Sequence, residues 1–234
     1  ADWYTSCINI LGKVLGQEKK AAKHISEVNA IISDIRTYTK AGDTTSTYVA
    51  GVTINGSNVW TTTFPTYLPL KLVDGINAYT GTATTPKVDL DAETVGKYKI
   101  DRVIIDPSSS DKIKEVSSQL VMNMINGRNT DDNKANDIKL FVTLPIVWDS
   151  INYDCVLAGS YYLCYLMHGT LTLEQVKEKI NNVFTTYYGE NGKNVFNDMS
   201  AFFVGKSSAN NVELPLLGEV KIKETNGVFT VVSV

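Results

Sequence analysis

The sequence is poor in the residues that usually announce a function. Its 234 residues include two histidines, three cysteines and six prolines, and arginine occurs only as Arg36, Arg102 and Arg128. Three cysteines close at most one bridge within the chain and leave a thiol over, which excludes a disulfide framework. The paired C-x-x-C spacings of zinc fingers are absent. No apolar run reaches the roughly 18 residues of a membrane-spanning helix. A net charge of -3 and a pI near 5.5, with basic residues scattered among acidic ones, leave no electrostatic footprint for nucleic acid, so no nucleic-acid partner is expected. The chain begins with Ala1 and not Met, which points to a processed or truncated product; membrane contact is expected only through a missing N-terminal segment.

What is present is a 43% hydrophobic chain, enough for a core in one large domain or two small ones. Residues 1–40 read as one long amphipathic helix, with Ile8, Leu11, Leu15, Ala22, Ile25, Val28, Ile32 and Ile35 mostly three or four apart. At 1.5 Å per residue it would run about 60 Å, more than a domain of this size covers, so part of it is expected to project as an assembly element. Its first part, Trp3 to Leu15, is interrupted by Gly12 and Gly16; Ile25 to Ile35 is the half expected to pack on a sheet.

Beyond a polar loop at 41–46 the period changes. Tyr48 to Ile54 and Asn58 to Phe64 flank the turn signal Asn55, Gly56, Ser57 and read as a hairpin. A stretch punctuated by Pro65, Pro69, Gly75, Gly81 and Pro86 leads to a strand from Tyr98 to Ile105. Asp106 to Ser110 breaks it, and a second helix follows from Asp111 to Asn126, then a polar loop from Arg128 to Asp137 and a strand from Ile138 to Trp148. Thr172 and Gln175 make a capping box for a helix to about Tyr188, and Asn226-Gly227 centres a closing hairpin from Glu219 to Val234. Ile25, Ser26, Glu27, Val28 and Ile113, Lys114, Glu115, Val116 lie 88 residues apart in matching contexts, which suggests a duplicated module and a division into 1–105 and 106–234.

A long N-terminal helix, a polar loop, an antiparallel sheet and a final hairpin form an order of elements that resembles a type IV pilin headpiece, and the duplication resembles the large clostridial minor pilins with two pilin-like modules. The peptidase site and apolar half-helix of that family are not in this sequence. The resemblance implies an α+β fold: a long N-terminal helix packed on antiparallel sheet, with a second helix-plus-sheet module. It implies a structural subunit of a bacterial surface fibre, an extracellular pilus, with other pilins as partners, loops displayed for adhesion to a host-cell or matrix ligand, and no enzymatic activity.

The stretch from Tyr153 to His168 admits two structures. As a hairpin with Gly159-Ser160 at its turn, Cys155 falls opposite Cys164, and the pair could form a disulfide or, with Cys7, ligate zinc. As a helix, Cys155 and Cys164 stand roughly 13 Å apart along the axis, while Cys164 and His168 share a face at i and i+4 and would join Cys7. The candidate metal ligands are thus Cys7, Cys155, Cys164 and His168, and the resemblance favours zinc as the cofactor. The alternative functions are a cysteine hydrolase using Cys155, with His24 or His168 as base and Asp101 or Asp106 as orienter, and a phage or virion structural protein. His24 among Lys19, Lys20 and Lys23 reads as a solvated helix residue. Asp131, Asp132 and Asn133 lack the Gly and Glu of a calcium loop. Trp3, Tyr4, Trp60 and Trp148 are too scattered to make an aromatic sugar platform.

Overall fold

A computed structural model describes residues 2–40, 44–52, 60–109, 138–147, 150–209, 214–226 and 228–234. The expected turn at 55–57, the helix at 111–126 with the second copy of the repeat, the loop at 128–137 and Trp148 lie outside them.

The N-terminal helix is present as two. Helix α1 (Asp2–Val14) and helix α2 (Glu18–Thr37) are separated at Gly16, which takes φ +61. The amide of Gly16 bonds the Lys13 carbonyl and that of Gln17 the Gly12 carbonyl, a Schellman turn that ends α1 where glycine tolerates the left-handed conformation. The two helices then fold against each other at Gly12, where an added Cβ would stand 2.6 Å from Ala21 Cβ. The predicted stripe holds in the later part of α2, where Val28, Ile32 and Ile35 are buried, but not at its start, where Ala22 is exposed, and it fails at the end of the first helix, where Leu11 and the following Leu15 are more than half exposed. A Schellman stop at Gly16, which the spacing alone does not weigh, rotates the second stripe away from the first.

The remaining described elements are β1 (Ser46–Ala50), β2 (Thr62–Thr63), α3 (Leu68–Leu72), β3 (Ile76–Asn77), β4 (Val88–Asp89), α4 (Ala92–Gly96), β5 (Arg102–Ile105), β6 (Lys139–Val142), α5 (Tyr153–Leu163), α6 (Leu173–Tyr188), α7 (Gly192–Ala209), β7 (Glu219–Thr225) and β8 (Val228–Ser233). This is an α+β fold whose sheet is mixed. Its order is β3-β1-β5-β6-β7-β8; β3, β1, β5 and β6 are parallel, and β6-β7 and β7-β8 are antiparallel. Strands β2 and β4 form a separate antiparallel pair.

Among the described residues the hairpin expected from Tyr48 is not formed, since β1 pairs with β3 and β5 and β2 pairs with β4. All five residues of β1 are buried, and the strand lies between β3 and β5 as a centre strand of parallel sheet. Parallel strands covered on both faces carry apolar side chains on both. Val49 and Ile104 join a core made with α2, α3, α5 and α6, while Tyr48, Ala50, Val103 and Ile105 join a second core with Trp60, Val95 and Leu214. The boundary drawn at Ile105 and Asp106 falls inside this sheet, where Ile105 is in register with Val142 of β6.

Two expected elements are found as read. Thr172 and Gln175 make the reciprocal capping box of α6, at 2.8 and 3.2 Å, and β7 and β8 pair in the closing hairpin. An unforeseen helix, α7, packs on α6 at Gly192, where an added Cβ would run into the Phe184 carbonyl. A clip on the other side of α6 joins three helices: Lys179 Nζ and the Tyr161 hydroxyl both bond Asp34 Oδ2, at 2.7 and 2.6 Å.

Gly192→Ala is expected to destabilise the protein by about 2 kcal/mol, the cost of overpacking against backbone. Gly96→Ala, at the open end of α4 with nothing within 4 Å of the new Cβ, is expected to be neutral or mildly stabilising. Urea unfolding of the two variants checks both, and equal midpoints would contradict the close α6–α7 crossing.

Candidate ligand-binding site

In an open parallel sheet the carboxyl ends of the strands are where chain segments diverge and leave a crevice. Two of those ends, of the neighbouring strands β5 and β6, lead toward α5 and its surroundings. Beyond Ile105 the chain turns through Asp106 and a single turn of 3-10 helix at Pro107–Ser109; beyond Val142 it runs through Thr143, Leu144, Pro145 and Ile146 toward α5. The pairing continues past both strands, with the Asp106 amide on the Ala50 carbonyl at 3.1 Å and the Thr143 amide on the Ile105 carbonyl at 3.0 Å.

Asp106 ties the two exits together. Its carboxylate is fully buried and accepts from the amides of Ser108 at 2.9 Å and Ile146 at 3.2 Å. Burial raises its pKa from the ordinary aspartate value near 3.8 to about 6, against the amide bonds, which favour the charged form. The Ile146 carbonyl then accepts from the Asn152 amide at 2.8 Å, and α5 begins at the next residue. The far end of α5 lies near the start of β5, where Arg102 Nη2 reaches the Leu166 carbonyl at 3.4 Å, so the helix runs back antiparallel to the parallel strands.

Between this start of α5 and helix α7 lies a cavity of about 370 Å³, lined by Pro145, Asn152, Cys155, Met199, Phe202 and Phe203. Its volume is within the range of small-molecule sites. Phe202 and Phe203 meet edge to face, with ring centroids 5.1 Å apart. The Cys155 thiol is buried, and burial together with the nearby Asp154 and Asp106 carboxylates pushes its pKa well up. The Asp154 carboxylate accepts from the Tyr188 hydroxyl at 2.7 Å. Behind it, Tyr153 stacks on Tyr4 of α1 at 4.3 Å, and the Tyr4 hydroxyl meets His24 Nε2 at 2.7 Å.

The helical alternative for Tyr153 to His168 is the one observed, so the hairpin that would set Cys155 against Cys164 does not exist and all three cysteines are free. Cys7 is exposed on α1. Cys164 opens a π-helical turn through His168, and its thiol, pushed up to about 12 by burial, points at the Ile35 carbonyl at 3.8 Å. His168 Nε2–H donates to the Val73 carbonyl at 3.0 Å. Among the described residues no three His, Cys, Asp or Glu side chains are placed to hold a metal ion together. For the hydrolase alternative, the Cys155 thiol is held protonated where a nucleophile needs a thiolate, and His24 is bonded to Tyr4. Of the residues singled out in the sequence, Cys155 lines the cavity, and Asp106 lies buried beyond it, where its carboxylate acts on the Cys155 thiol. Met199, Phe202 and Phe203 were not foreseen, although Phe196, Met199 and Phe203 keep helical spacing and all face inward.

No family model and no curated protein matches this chain. Its fold is similar to that of an ABC transporter solute binding protein from Sulfurospirillum deleyianum DSM 6946, with a TM-score of 0.52 at 12% identity over 82% of this chain and 60% of that one. This chain therefore matches less than two thirds of that protein's length. The likeness overturns the fibre-subunit reading, and with it the pilin partners and the pilus and adhesion roles. The physical reason is strand direction: a pilin-like layout backs an antiparallel sheet with one long helix, whereas this sheet is parallel through four strands with helices packed against it. Among the described residues no helix is long and apolar enough to cross a membrane.

The raised pKa of Asp106 has a definite sign. The folded state holds this proton to higher pH than the unfolded chain, so the stability it contributes is complete below about pH 4 and lost as pH rises through about 6. Relative to Asp106→Asn, which does not titrate, the wild-type protein is expected to lose up to about 3 kcal/mol between these limits. Urea midpoints of both proteins across that range check it, and parallel profiles would contradict it.

Proposed function

We propose that this chain is a small-molecule binding protein of the solute-binding kind, which takes its ligand beyond the carboxyl end of β6, in the cavity between the start of α5 and α7. The observation that carries the reading is the cavity's position. It opens just beyond the carboxyl end of β6, the last of the parallel strands, on the side of an α/β sheet where ligands bind, and its other wall is helix α7. The likeness to an ABC transporter solute binding protein supports the same reading. A protein that hands a solute to such a transporter works outside the cytoplasmic membrane, and that is the location we assign to it. Its partner is then a small molecule, with a membrane transporter as the recipient.

A thermal-shift panel of amino acids, sugars, oxyanions and small aromatic compounds tests the proposal. One class should raise the melting temperature by about 3 °C or more at saturating concentration. Met199→Trp, which fills the cavity with a larger side chain, should abolish that shift while the unliganded variant still melts cooperatively. No shift with any class, or an undiminished shift in Met199→Trp, would remove the proposal.

A further inference from the structure

The lining of the cavity also says what kind of solute it suits. We infer that the ligand is an uncharged aromatic molecule carrying one hydrogen-bonding group, an inference that rests on the binding site proposed above. Four of the six lining side chains, Pro145, Met199, Phe202 and Phe203, offer only carbon or thioether sulfur. No lysine, arginine or other ionised side chain is among the described lining residues. A full charge entering this space would shed water with no opposite charge among the lining residues to replace it.

An anion is opposed further by what stands behind Cys155. The Asp154 and Asp106 carboxylates both act on that thiol, and no cation intervenes among the lining residues. A cation finds no ion pair there, because neither carboxylate lines the cavity and the oxygens of both already accept hydrogen bonds, Asp154 from the Tyr188 hydroxyl and Asp106 from two backbone amides. Flat rings gain most. Phe202 is 54% exposed and already set edge to face on Phe203, so a ligand ring that covers it completes an aromatic cluster and removes the exposed surface.

The hydrogen-bonding group follows from Asn152. This residue occupies the N-cap of α5, where asparagine ordinarily bonds the first-turn amides, yet its side chain makes no capping bond. Asn152 is one of the residues lining the cavity, and its side-chain amide, not spent on the cap, is the group there that can donate to or accept from a ligand hydroxyl, carbonyl or amine.

Three naphthalene probes separate the cases: neutral N-phenyl-1-naphthylamine, its sulfonated anion 1-anilinonaphthalene-8-sulfonate, and the smaller cation trimethyl(1-naphthyl)ammonium. Titrated into the whole chain, the neutral probe should bind with one-to-one stoichiometry, and both charged probes should bind at least tenfold more weakly. Phe202→Ala and Asn152→Ala should each weaken the neutral probe about fivefold, Phe202→Tyr should retain it, and Met199→Trp should abolish it. Equal or tighter binding of either charged probe overturns the inference, as does neutral-probe binding that persists in Met199→Trp, which would place the dye on the exposed apolar residues of α1. If the neutral probe fails while a charged solute class stabilises the protein through the same cavity, the assignment of ligand class falls and the binding function stands; if both fail, both fall.

Discussion

The architecture around the cavity depends on one buried carboxylate. Asp106 lies at the end of β5, and by accepting from the Ser108 and Ile146 amides it joins two segments 40 residues apart in sequence. Such a group is costly when ionised out of water, and its pKa near 6 registers that cost. Losing it would strand two buried amides in return, a penalty of about 1–3 kcal/mol each. The arrangement persists because the Ile146 carbonyl, held by the same turn, receives the Asn152 amide and so fixes where α5 begins. The position of Asn152 and Cys155 in the cavity is thus set from the strand end outward, by backbone bonds.

How much of this was legible in the sequence depends on whether the signal was local. The capping box at Thr172 and Gln175 and the hairpin around Asn226 involve residues within a few positions of one another, and both read correctly. The apolar face of α2 at Val28, Ile32 and Ile35 read correctly for the same reason. Strand direction is a different kind of fact. Ser46 to Ala50 looks the same whether it pairs with the segment just beyond it or with Arg102 to Ile105, and only the burial of both faces, a tertiary outcome, selects the parallel partner. A resemblance built on the order of elements inherits that ambiguity, which is why a helix-then-sheet order suggested a pilin.

The candidate site was legible in part. The sequence marks Cys155 by its chemistry, and its neighbourhood takes the helical one of the two structures that the sequence admits. Its companions come from α7, a helix whose apolar residues at Phe196, Met199 and Phe203 obey the helical period but follow a run of glycine and polar residues that masks the start. The thiol's role changes accordingly. Burial beside two carboxylates favours its neutral form, and the helix holds it apart from Cys164.

The same end of α5 gives helix α1 a purpose other than projection. Tyr4 stacks on Tyr153, Trp3 sets its edge to the same ring at 5.8 Å, and the Tyr4 hydroxyl holds His24 of α2. Tyr153 and Asp154 sit between Asn152 and Cys155, the two polar residues of the cavity, so each aromatic contact of about 0.5–1.5 kcal/mol buttresses that wall from outside. The turn at Gly16 is what allows this, because an uninterrupted helix would carry Trp3 and Tyr4 away from α5 along the axis of α2. Only the start of α1 is anchored in this way, while Leu11, Val14 and Leu15 toward its end remain exposed. The first helix is therefore a brace for the candidate binding site, fixed at one end by rings and at the other by a glycine.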